Sequence, residues 1–399
     1  MKIPFSPPYI DQFVIDQVIS TLKNKWITTG PKVEILEKKI SEYYGFDFCV
    51  GVNSWTSGAI LLLKWLGVKE NDEVIIPAYT YAATALAIIH AGAKPVIVDV
   101  DNDFNIDINE VKKNINNKTK AIMGVDIAGY QAKHGEIIEI LKTEEFMSKF
   151  KPSNNIQSNI GRPLVIADSA HSLGGKFKPI ADFHIFSLHA VKNFTTAEGG
   201  MIASNLKNTF NLNDLKKKIK RLTLNGQTKD AFTKSKDGSW KYDIVEAGLK
   251  CNLPDINAAI ALGQLKSKEK IIKKRKEIFK SYQSFFSKFV WSELPPFEEE
   301  LNCIESSCHI YMLRIIGINE KKRDLIINKL FERGINVNVH YIPLPLLTYF
   351  KNLGYKIKNT PNSYDIYSRE ISLPIYPSLK EKEVLYICEN VSSIVEELI

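Results

Sequence analysis

Short apolar runs rich in β-branched residues alternate with stretches of helical spacing, and this alternation restricts the fold more than any other feature of the chain. The runs are DEVIIPA (72–78), KPVIVDV (94–100), AIMGVDIAG (121–129), PLVIADSA (163–170), FHIFSLH (183–189) and GGMIAS (199–204). Before and after the first of them, SGAILLLKWLG (57–67) and YAATALAIIHAG (81–92) carry apolar residues at helical spacing. Continuously apolar strands are buried on both faces. Strands alternating with helices specify an α/β fold with a mainly parallel sheet. The last runs follow one another closely, so the strand order need not be simple.

The pattern changes after about residue 263. A long charged helix is expected from about Leu265 to Phe289, then the acidic loop ELPPFEEEL, a strand in CHIYMLRIIGI, a helix opening near Lys322 and the segment GINVNVHYIPL. This divides the chain into a large domain, 1–263 with the N-terminal segment, and a smaller α+β domain, 264–399. The polar stretches 151–161 and 226–241 read as loops.

The formal net charge of +8 suits anionic small molecules or a polyanion. The basic residues are dispersed except for KSKEKIIKKRKEIFK (266–280), which reads as a solvated helix face. Its other reading, a polyanion patch, is the only support for a regulatory or nucleic-acid-binding protein on the same fold. Five scattered cysteines without CxxC spacing fit reduced thiols and no metal site. The start MKIPFSPPYIDQF lacks the apolar core of a signal peptide, and no apolar run is long enough to span a membrane. The expectation is a cytoplasmic protein that uses neither membrane nor nucleic acid.

Ligands of open parallel sheets bind beyond the carboxyl ends of the strands. Asp168 closes one strand, Ser187 and His189 follow another, and Lys192 comes shortly after, before TTAEGG. An aspartate and a lysine at neighbouring strand ends suit pyridoxal 5'-phosphate (PLP): the lysine forms a Schiff base and the aspartate keeps the ring nitrogen protonated. The plainer reading is a surface lysine beside a structural aspartate. In VNSWTSGA, Asn53 to Gly58 lead into a helix whose N-terminus can hold a phosphate. Serine and threonine there are equally helix caps. Tyr79 and Tyr81, just after the strand at 72–78, are candidates to stack on a ring, or packing residues.

Taken together, WITTGPKVEILE (26–37), VNSWTSGA (52–59), DEVIIPAYTYAATA (72–85), PVIVDVD (95–101), IADSAHSLGG (166–175), FSLHAVKNFTTAEGGMI (186–202), KCNLPDINAAIALGQL (250–265) and GINVNVHYIPLP (334–345) resemble the DegT/DnrJ/EryC1/StrS family of sugar-nucleotide aminotransferases, fold-type I PLP enzymes. The resemblance implies a large domain with a mainly parallel seven-stranded sheet. It implies that Lys192 is the Schiff-base lysine and proton shuttle, Asp168 the ring-nitrogen partner and His171 a residue beside the cofactor. It also implies that Tyr81 stacks on the ring and that Trp55, Thr56 and Ser187 cradle the phosphate. Asn252 would reach the phosphate from the neighbouring subunit of a homodimer with a shared active site. Thr29, His340 and Tyr341 would meet the sugar nucleotide. Trp55 stands where relatives usually carry a small residue, and Pro345 where they often carry histidine. An intact Lys192 favours transamination over the dehydration catalysed by members with histidine at that point. The implied reaction moves an amino group from L-glutamate to a nucleotide-linked keto sugar, for surface polysaccharide or glycan biosynthesis. His171 in DSAHS and the WITTGP segment favour a 4-keto-6-deoxyhexose, first of all UDP-linked and acetamido-bearing, over a 3-keto sugar.

Overall fold

The computed structural model describes residues 1–229, 231, 240–299 and 304–399. Its largest sheet has seven strands: β1 (Phe48–Val52), β2 (Glu73–Pro77), β3 (Lys94–Val98), β4 (Thr119–Val125), β5 (Leu164–Asp168), β6 (Phe183–Ser187) and β7 (Gly200–Ser204). They lie in the order β1-β7-β6-β5-β4-β2-β3. The strands from β6 to β3 run parallel, and β7 is antiparallel to both β1 and β6. Every residue of β1, β4, β5, β6 and β7 is buried, as continuous apolar runs require.

Four helices of the first ninety residues can be traced to their local sequence: α1 (Gln12–Lys23), α2 (Pro31–Tyr44), α3 (Trp55–Leu66) and α4 (Ala82–Ala91). Asp11 caps α1, and Ser54 caps α3 by accepting from the Ser57 amide. Gly67 and Gly92 end α3 and α4 with φ of 74° and 94°, a left-handed turn that glycine adopts without strain. Leu61, Leu62, Leu63 and Trp65 of α3 pack with Ala85, Ala87 and Ile88 of α4 and with Ile166, Ile185 and Ile202 of the sheet.

A three-stranded sheet orders Glu370–Leu373, Tyr311–Ile315 and Ser292–Glu293. Helices Glu320–Glu332 and Glu381–Leu398 cover it, and their residues share a second core with Phe279, Tyr282 and Phe286. The expected boundary at 263/264 falls inside helix Asp255–Lys266. The cores part along the next helix, Lys268–Phe286, where Ile271 packs in the large unit and Ile278 in the small one. Ile3 also belongs to the second core and pairs with Ile335.

Other expectations change as well. The single helix from Leu265 to Phe289 is two helices broken at Ser267, whose hydroxyl donates to Asp11. Stretch 151–161 carries a short helix, Asn155–Ile160, capped by Asn154. In stretch 226–241, residues 230 and 232–239 lie outside the described residues. Among the described residues no helix is long and apolar enough to cross a membrane. Cys49, Cys251, Cys308 and Cys388 are buried free thiols.

Candidate active site

The strand register puts the expected functional residues along one edge of the sheet. Val125 pairs with Asp168, Asp168 with Ile185, Ser187 with Gly200, and Gly200 with Val52. The carboxyl ends of β4, β5, β6 and β1 therefore meet the amino end of β7. Gly200 has no side chain because there is no room for one. A Cβ there would lie 2.7 Å from the Ser54 carbonyl carbon and the Trp55 nitrogen. This contact seats the start of α3 directly beside Ser187.

A cavity of about 400 Å³ opens at this edge, lined by Trp55, Thr56, Tyr81, Asp168, His171, Ser187, Lys192 and Tyr341 among others. Eight sequence-derived site residues thus converge on one space. Thr29 and Asn252 do not. Asn252 donates to the Thr29 hydroxyl at 2.6 Å, and both line a separate groove with Lys217, Lys220 and Arg221. His340 lies on the far side of Lys192, in a smaller cavity with Phe5, Ser6, His309 and Tyr341.

Asp168 is buried, and its Oδ2 accepts from Thr84 of α4 at 2.9 Å. Burial pushes its carboxyl up to about 7, against the opposing bonds from Thr84 and the Ala170 amide. Lys192 is partly exposed. Withdrawal from bulk water, partly offset by Asp168, brings its amine down to about 8. His171 accepts from the Ala128 amide through Nδ1 at 3.1 Å, so its neutral ring carries the proton on Nε2. That N–H donates to the Tyr341 hydroxyl at 3.0 Å. Burial, then the nearby Lys192 and His340, hold His171 well below its usual value, so it acts as a fixed donor and not as a titrating group.

The two tyrosine candidates separate cleanly. Tyr79 is fully buried against Phe104, whereas Tyr81 is 63% exposed at the head of α4. The first intrahelical bond of α3 runs from Gly58 to Ser54, and Ser54 takes the Ser57 amide. The amides of Trp55 and Thr56 are left without an intrahelical acceptor, which makes this helix end an anion site. The Trp55 indole packs in the main core, with Nε1 buried and unpartnered.

This set fits PLP: a partly buried amine with a lowered pKa, a buried carboxyl in the same cavity, an exposed aromatic ring and a helix N-terminus whose first amides can take the phosphate. Sequence reading did not find Thr84, His309 or Asp126. His309 packs 4.5 Å from His171, and Asp126 lines the cavity. Thr84 had a signal, being three residues after Tyr81 on the helix that the sequence predicts.

The sequence profile of the DegT/DnrJ/EryC1/StrS aminotransferase family matches residues 8–392. The chain belongs to this family. The UDP-4-amino-4-deoxy-L-arabinose–oxoglutarate aminotransferase of Shewanella sediminis is 32% identical over 98% of both chains. The UDP-4-amino-4,6-dideoxy-N-acetyl-β-L-altrosamine transaminase of Campylobacter jejuni is 30% identical, over 99% of this chain and 98% of its own. Spr1654 of Streptococcus pneumoniae, described as a candidate sugar aminotransferase and solved in its PLP-form, superposes with a TM-score of 0.94 at 39% identity over 100% of both chains. As a member of the DegT/DnrJ/EryC1/StrS family the protein is a PLP-dependent aminotransferase, and its seven-stranded sheet is that of the fold-type I enzymes.

Proposed function

We propose that the protein transfers the amino group of L-glutamate to the 4-keto carbon of a nucleotide-linked 4-keto-6-deoxyhexose, with a UDP-linked, acetamido-bearing sugar as the leading candidate. The observation that carries this reading is the convergence of Lys192 and Asp168 on one cavity beside the free end of α3. Two relatives act on UDP-linked sugars whose names carry nitrogen at position 4, and the name of one includes oxoglutarate, the product left by glutamate.

Bound PLP supplies an aldehyde that can be linked to an amine and a ring that accepts an electron pair. Lys192, Asp168, Tyr81, Ser187, His171 and the amides of Trp55 and Thr56 would hold it. With its value near 8, Lys192 is neutral in roughly a tenth of molecules at neutral pH, enough to attack and to take a proton. Its Nζ would remove the proton from the donor α-carbon and later deliver one to the sugar carbon. Asp168 would hold a proton on the ring nitrogen. His171 and Tyr341, bonded to each other, would form a fixed wall toward the sugar, and His340 a second contact.

We further propose a homodimer in which Thr29 and Asn252 complete the partner's site, because their groove is separate from the Lys192 cavity of their own chain. Phe13, Ile15, Ile19 and Leu22 leave α1 with exposed apolar residues, as an interface would. Buried free thiols are in keeping with a cytoplasmic enzyme. The direct test incubates the protein with PLP, L-glutamate and a panel of UDP-, dTDP- and GDP-linked 4-keto and 3-keto sugars. Mass spectrometry and NMR should find 2-oxoglutarate and a 4-amino sugar. Amination of the 3-keto sugars alone would overturn the reading in favour of a 3-keto enzyme.

A further inference from the structure

In the wall of the cavity lies a buried polar cluster that the transamination chemistry described above does not use. At its centre is Asp126, 1% exposed, the residue after β4. Its Oδ1 accepts from the Ala132 amide at 2.9 Å and pairs with His134 Nε2 at 2.7 Å. Its Oδ2 accepts from the hydroxyls of Ser169 at 2.7 Å and Ser172 at 2.9 Å. The Ser169 oxygen in turn lies 2.9 Å from His184 Nδ1. Since Ser169 spends its proton on Asp126, His184 is the donor in that contact. His134, His184 and Ser169 are fully buried, and Ser172 is 1% exposed.

The chain between Ser169 and Ser172 is the turn that follows Asp168 and carries His171. The Asp126 amide donates to the Asp168 carbonyl at 3.0 Å, and Ala128, two residues on, donates to His171. One carboxylate therefore ties both ends of this turn to the end of the neighbouring strand. Four polar groups bonded to a buried charge do more than a filler residue would. A hydrogen bond to a charged group contributes about 1.5–3 kcal/mol, and an unpaired buried charge is strongly destabilising.

We propose that Asp126 is a positioning residue for the aminotransferase reaction: its buried carboxylate clamps the Ser169–Ser172 turn and sets a fixed negative charge beside Asp168. The clamp keeps Asp168 and His171 in register on the cavity wall. The charge raises the proton affinity of Asp168 and of any group that shares its proton. Burial alone would raise Asp126 too, but His134 and the hydrogen bonds outweigh it and hold its carboxyl below the usual range, so it stays ionised. The groups facing Asp126 are His134, His184 and Asp168. Those facing Asp168 are Thr84, Lys192, Tyr341 and Asp126.

The inference rests on the cofactor that the family uses and is independent of the sugar, because both readouts are taken with no sugar present. Absorbance of the PLP-loaded protein is titrated from about pH 5 to 9, and PLP affinity is measured separately by equilibrium dialysis. Asp126→Asn keeps an acceptor oxygen but removes the charge, and should lower the midpoint of the cofactor band by at least about half a pH unit. The double variant Ser169→Ala/Ser172→Ala keeps the charge but cuts the clamp. It should leave the midpoint in place and weaken PLP binding about tenfold. A wild-type midpoint in Asp126→Asn overturns the proposal, as does wild-type PLP affinity in the double variant. The double variant decides alone if Asp126→Asn does not fold.

Discussion

Lys192 shows how far a single residue's chemistry is set by its surroundings. Free lysine holds its proton to about pH 10.4. Here the cation is disfavoured, so the amine gives up its proton near pH 8. Only the neutral amine attacks an aldehyde. The rate at which apo-protein captures PLP should therefore climb with pH, pass its midpoint near 8 and level off, as stopped-flow absorbance can follow. A midpoint close to 10 would show that the amine is not withdrawn from water. Asp168 and Lys192 were legible in the sequence because one closes an apolar strand and the other follows the next strand closely, at the edge where ligands bind. Asp126 was not. Its partners, Ala132, His134, Ser169 and Ser172, come from separate segments, and only the assembled sheet brings them together.

Among the elements, α3 and β7 depend directly on each other. The missing side chain of Gly200 lets the strand reach the backbone of Ser54 and Trp55. In Gly200→Ala the added carbon meets main chain, which cannot rotate away. The variant should lose about 1–3 kcal/mol of stability, read from denaturant melts of the apo-protein. Its affinity for PLP should fall as the helix end is pushed out of place. Unchanged affinity would mean that α3 takes no part in holding the phosphate. Six strands of the large sheet could be read as apolar runs, but β1 could not. Its sequence FCVGV is interrupted by Gly51, whose absent side chain is replaced by Leu253 and Val33, each within 3.3 Å of where a Cβ would stand. A strand that borrows its packing from residues distant in sequence carries a weak signal of its own. The break at Ser267 was hidden for a similar reason. Helical spacing continues across it, and the partner that marks the turn, Asp11, lies at the other end of the chain.

At the level of the whole molecule, the proposed shared site makes a prediction that no monomer could satisfy. Lys192→Ala should be inactive alone, and Asn252→Ala should be impaired alone. Mixed after gentle dissociation, they form hybrid dimers in which one site has both residues intact. Random pairing makes half the dimers hybrid, so roughly a quarter of wild-type activity should return. No recovery in a mixture shown by native mass spectrometry to contain hybrids would place Asn252 outside the site. The large sheet has a consequence for how the protein is made. Strand β1 leans on β7, and about 150 residues separate Val52 from Gly200. A ribosome adds about 5–20 residues per second, so β1 emerges roughly 8 to 30 s before β7, the strand it pairs with. The helix end that would receive the phosphate is unsupported for the same interval. A nascent chain cannot acquire its vitamin-derived prosthetic group until the second half of the sheet has left the exit tunnel.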